Sequence, residues 1–84
     1  MMLTKECKMK DFSKLDASPA AMLVQLASRF DSSIYVDQGA KRTNAKSIMG
    51  VMILNFSVGT DATIIVDGKD EEVALAEVYK FLSA

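Results

Sequence analysis

The run Ser47–Leu54, SIMGVMIL, sets the tightest limit on how this chain can fold. It follows the polar and basic residues Lys41, Arg42, Asn44 and Lys46. Ser47 stands at the boundary as a natural helix N-cap, its hydroxyl placed to accept a bond from a backbone N–H of the first turn. From there Ile48, Met49, Val51, Met52, Ile53 and Leu54 cover almost the whole circumference of a helix of about two turns. A chain of 84 residues has room for a modest core and cannot bury such a helix on every side. One face must pack inward. The other must show apolar side chains to water or to a partner, and two methionines there suit a surface that adapts its shape.

Composition removes several function classes. The net charge is −1, so there is no broad basic field of the kind nucleic-acid binding needs. With no histidine and one cysteine, a histidine-ligated metal site, a cysteine cluster and an internal disulfide are excluded. The opening MMLTKECKMKD lacks the apolar segment of a signal peptide, and no apolar run approaches the roughly 20 residues that span a bilayer. The expectation is a single soluble, cytoplasmic domain over residues 1–84, without metal, cofactor, membrane or nucleic acid.

In chain order, Leu3–Met9 alternates Cys7 and Met9 with Glu6, Lys8 and Lys10, the period of a strand with one buried face. Cys7 is then a small core residue, because a reactive thiol needs a cationic, partly exposed setting. Asp11–Ser18 is a loop. Ser18–Phe30 is a helix, with Ala20, Leu23, Val24, Ala27 and Phe30 at helical spacing, Pro19 in its first turn, and Ser18 or Asp16 as cap. Ile34–Asp37 and Lys41–Asn44 read as a β-hairpin around Gln38-Gly39-Ala40. Thr60–Asp67 is a strand with Ala62, Ile64 and Val66 on one face and Thr63 and Ile65 on the other. Glu71–Leu82 is a helix that begins with acids favourable to its dipole and carries Ala74, Leu75, Val78, Phe81 and Leu82 as its apolar stripe. The order β-α-β-β-α-β-α implies an α+β fold, with helices on one face of a mainly antiparallel sheet.

Two segments carry a family resemblance. Leu15-Asp16-Ala17-Ser18-Pro19-Ala20-Ala21 resembles the LHARPAA active-site loop of HPr, the phosphocarrier of the bacterial sugar phosphotransferase system. Asn44-Ala45-Lys46-Ser47-Ile48-Met49-Gly50 looks like the regulatory-serine motif of HPr and of its relative Crh, specific over all seven residues. Gly59-Thr60 and Gly68-Lys69-Asp70-Glu71 fall where the family has similar turns, so the likeness runs over nearly the whole chain. It implies an open-faced β-sandwich: a four-stranded antiparallel sheet covered on one face by three helices.

The departures from the family pattern bear on function. In the family, a histidine at the position of Asp16 accepts the phosphoryl group, and an arginine at the position of Ser18 offsets its charge. Neither is present. A carboxylate can form an acyl phosphate, usually with Mg²⁺ and further acids around it, but Asp11 is the only other acid in the loop and Ser18 brings no positive charge. Lys14 replaces a family glycine just before the loop. Asp16 is therefore read as a helix cap or a solvated loop acid.

Ser47 lies in an intact motif. The resemblance implies ATP-dependent phosphorylation by HPr kinase/phosphorylase, followed by binding to a catabolite-control transcription regulator. A phosphate at a helix N-terminus meets free backbone N–H groups, so it adds charge for a partner without unfolding its own helix. The expected partner surface is Ala17, Ala21, Met22, Lys46, Ile48, Met49 and Met52. The reading is a Crh-like regulatory protein, not an enzyme, with no phosphohistidine and Ser47 as its regulatory site. The alternatives are a phosphocarrier with an unconventional site, or an interaction module phosphorylated at neither position.

Overall fold

The computed structural model describes residues 1–83; Ala84, which closes the stretch expected to form the domain, lies outside the described residues. The elements are β1 (Met2–Lys8), α1 (Pro19–Ala27), β2 (Ser33–Gln38), β3 (Lys41–Asn44), α2 (Ile48–Val51), β4 (Asp61–Asp67) and α3 (Glu71–Leu82). The strands form one antiparallel sheet in the order β1-β4-β2-β3. This is the α+β arrangement expected from the chain's periodicities.

The register explains the core. Cys7 lies opposite Ala62, and Val36 opposite Ile64, so the inward sets of neighbouring strands form one apolar floor. Onto it pack Leu23 and Ala27 of α1, Val51 of α2, and Ala74, Val78 and Leu82 of α3. Met9, just past β1, bridges to Ser83 and is fully buried. Beside it Phe12 meets Phe56 edge-on at 5.5 Å and Phe81 at 5.4 Å, fastening the loop after β1 to the end of α3.

Two helices are shorter than their apolar patterns suggest. The pattern of α1 runs to Phe30, but the helix ends at Ala27. Arg29 and Phe30 donate to Leu26 and Ala27, a tightened last turn. The residues that follow are claimed from elsewhere: the Lys46 ammonium donates to the Phe30 carbonyl at 2.6 Å. The Asp70 carboxylate accepts the backbone N–H groups of Asp31 and Ser32, at 2.8 and 2.9 Å, and the Ser32 hydroxyl. Likewise α2 has four helical residues, one turn in place of about two. The Ile53 and Leu54 N–H groups reach back only three residues. The Gln38 side-chain amide then takes both the N–H and the carbonyl of Asn55, at 2.9 and 2.8 Å, and draws the chain towards the β2–β3 hairpin.

Candidate functional site

Ser47 sits where the chain leaves β3. Asn44 organises the approach: its side chain accepts from the Lys46 N–H at 2.9 Å, and its carbonyl accepts from the Ser47 N–H at 3.0 Å. Ala45 between them is fully buried and donates to the Ile34 carbonyl at 2.8 Å, so the turn is pinned to the sheet. Ser47 has extended backbone, and its hydroxyl accepts from the Gly50 N–H at 3.3 Å. This is the cap expected from the sequence. A side chain at Gly50 would lie 3.3 Å from the buried Thr43 methyl, which keeps the turn close to β3.

The one-turn helix divides its apolar residues sharply. Val51 and, after it, Leu54 are buried. Ile48, Met49, Met52 and Ile53 retain 46, 81, 69 and 58% of their exposure, two exposed apolar pairs on either side of the buried Val51. Ile53 was not among the residues expected to meet a partner. On a two-turn helix its orientation is ambiguous, but once α2 ends at Val51 it falls outside the helix and is turned outward. Lys46 is half-buried, and its ammonium is directed to the end of α1.

α1 packs against α2 and brings the second candidate region alongside. The Ser18 hydroxyl caps α1, accepting from the Ala21 N–H at 3.3 Å. That leaves Asp16 as an exposed loop acid, in the second of the two roles expected for it. Ala17 is exposed, while Ala21 and Met22 are half-buried. In the same loop, hydrogen bonds from Ser13, through its hydroxyl and then its backbone N–H, hold the Asp11 carboxyl below its usual range. A shallow hollow of about 590 Å³ lies between this loop and the chain leaving α2, lined by Phe12, Leu54, Phe56 and Val58. Among the described residues, no group of three or more histidine, cysteine or acidic side chains converges to hold a metal ion. No described helix is long and apolar enough to cross a membrane.

Similarity to known proteins follows the same outline. The family model described as "PTS HPr component phosphorylation site" matches residues 3–84. The HPr-like protein Crh of Halalkalibacterium halodurans is 41% identical over 81 residues, 96% of either chain. The phosphocarrier protein HPr of Treponema pallidum is 42% identical over 79 residues, covering 94% of this chain and 90% of that one. Among solved structures, a phosphocarrier protein HPr from Bacillus anthracis superimposes with a TM-score of 0.88 at 38% identity, over 98% of each chain.

Proposed function

This chain belongs to the HPr family of the phosphotransferase system, and from that premise we propose that it is a Crh-like regulatory protein, controlled by phosphorylation of Ser47 and acting through protein–protein contacts in carbon catabolite control. The observation that carries the reading is the placement of the Ser47 hydroxyl at the start of α2, directly before the exposed Ile48, Met49 and Met52. A phosphoryl group on that oxygen would take over the bond from the Gly50 N–H, and its charge would stand beside an apolar contact surface. α2 has only one turn, so the backbone N–H groups matter more here than any macrodipole. Ala17, Ala21 and Met22 extend the surface along α1, and Lys46 supports it from below through its bond to Phe30.

Phosphohistidine chemistry has no place in this reading. The chain contains no histidine, and Asp16 and Ser18 occupy the positions where the family's histidine and arginine stand. The proposed partners are HPr kinase/phosphorylase and a catabolite-control transcription regulator, and the proposed compartment is the cytoplasm.

The test is intact mass after incubation with ATP, Mg²⁺ and an active HPr kinase/phosphorylase. A gain of one phosphate in the parent and in Asp16→Ala, lost in Ser47→Ala, is the expected result. An unmodified parent would leave Ser47 as a cap. A second reading, an interaction module phosphorylated at neither position, would then hold; what favours it is that the Ser47 hydroxyl already has a structural use.

A further inference from the structure

We propose that the groove between α1 and α3 is a second docking surface, shaped for an acidic amphipathic helix of a partner protein. Two hollows of about 300 and 280 Å³ meet there and share Leu26 and Phe81 as their floor. Met22 adds to one end; all three apolar side chains are half-buried, and Leu26 and Phe81 pack on the core below. The rim is cationic: Arg29 on one hollow, Lys10 and Lys80 on the other, with Glu77 the one acid among the described lining residues.

Those three cations are not taken up by carboxylates, although three others on the surface are. Lys8, Arg42 and Lys69 are each paired with a carboxylate, on Asp61, Asp37 and Asp31 respectively. Lys10, Arg29 and Lys80 have no carboxylate within ion-pair distance among the described residues. The Lys10 ammonium instead lies over the rings of Phe12 and Phe81, at 5.5 and 5.4 Å, while its backbone N–H is fixed to the Leu82 carbonyl at 2.8 Å. Counting Glu77, three positive charges against one negative leave the described lining side chains at +2 in a chain whose net charge is −1. Uncompensated charge around an apolar floor selects a partner with carboxylates flanking an apolar stripe. A helix fits because its stripe, at i, i+3, i+4 and i+7, lies along the seam between two packed helices with one side chain in each recess. A flat anionic bilayer would meet the charged rim but leave both recesses empty.

The experiment titrates the ¹⁵N-labelled full chain, at low salt, with a synthetic peptide of about 15 residues, enough to form a helix. The peptide carries leucines at i, i+3, i+4 and i+7 with glutamates on either side. Saturable shifts centred on the amides of Met22, Leu26, Arg29, Lys80 and Phe81 are expected. A variant carrying Arg29→Glu and Lys80→Glu, shown by circular dichroism to keep its fold, should bind at least about tenfold more weakly, as should the parent in high salt. A scrambled peptide of the same composition should also bind more weakly. No saturable shift, shifts centred on Met49 and Met52, equal binding of the scrambled peptide, undiminished binding by the reversed variant, or tighter binding to phosphatidylserine vesicles would each overturn the proposal.

Discussion

Replacing Gly68 with alanine should be among the most damaging single-methyl additions available to this chain. Gly68 lies in the turn from β4 to α3 with φ of 155°, and a Cβ there would stand 2.5 Å from the Ser32 hydroxyl oxygen, 2.6 Å from its Cα and 2.8 Å from its Cβ. Heavy atoms in contact sit roughly 3.5–4.0 Å apart, so about 1 Å of separation must be found. Neither side can give it cheaply. The Ser32 backbone is clasped by the Asp70 carboxylate and leads into Ser33, which pairs with Asp67. On the other side, the Gly68 N–H donates to the buried Glu71 side chain at 3.1 Å. Overpacking of this kind costs about 1–3 kcal/mol, and a backbone conformation unfavourable to an L side chain adds roughly 1 kcal/mol. The sum, about 2–4 kcal/mol, is a large share of the roughly 4–13 kcal/mol that a chain of this length holds in total. Urea unfolding followed by far-UV circular dichroism should show that loss, and the melting temperature should fall by roughly 10–30 °C. Adding Ser32→Gly should recover only part of it, because the 2.6 Å contact to the backbone Cα remains. A Gly68→Ala protein within about 0.5 kcal/mol of the parent would refute the reasoning, since it would mean the two segments part freely.

Other perturbations separate structural from functional roles. Ser47→Ala should cost only about 0.5–1 kcal/mol, the value of one long capping bond on a one-turn helix, so a melt should show a folded protein fit for the kinase assay. Lys46→Met should cost about 1–2 kcal/mol by urea titration, because it strips a charged donor from the Phe30 carbonyl at the end of α1. Val51→Ala, on the buried side of α2, should destabilise by about 1–2.5 kcal/mol and broaden the NMR signals of Ile48–Leu54 before those of the sheet. The Asp70 carboxyl is held below the usual range, chiefly by the Ser32 hydroxyl and then by the Asp31 N–H. Its folded pKa is depressed, so its contribution is complete above the unfolded value near 4 and is lost as pH falls below that towards the folded value. Stability curves between pH 7 and 3 should therefore be flatter for Asp70→Asn than for the parent.

Much of the fold was legible because it depends on local period. Cys7 and Met9 alternate with charged residues, and both face the core. Pro19 after Ser18 marked the start of α1 within a residue, and Ser47 marked α2 in the same way. Glycine at position 39, with φ of 61°, supplied the left-handed residue that the β2–β3 turn requires. The exposed apolar segment of the candidate site was also predictable, since no chain of this size can bury every face of such a run. Of two possible caps for α1, only the structure chose: Ser18 takes the bond and Asp16 is left in water.

The elements, their inward faces and the family to which the chain belongs can all be read from residue order alone. These rest on period, on caps and on contiguous motifs, all of which act over a few residues. Where the helices stop and which charges are occupied depends instead on contacts between distant segments. Lys46 reads as a surface cation, but it serves a carbonyl sixteen residues away. Asp70 reads as a turn acid, yet it closes the loop after α1 across thirty-eight residues. Ile65 falls on the open face of the sheet, yet it is buried, flanked in register by Thr4 on β1 and Tyr35 on β2. Each of these depends on strand order and register, which bring distant segments together. No local pattern encodes a contact whose other half lies across the sheet.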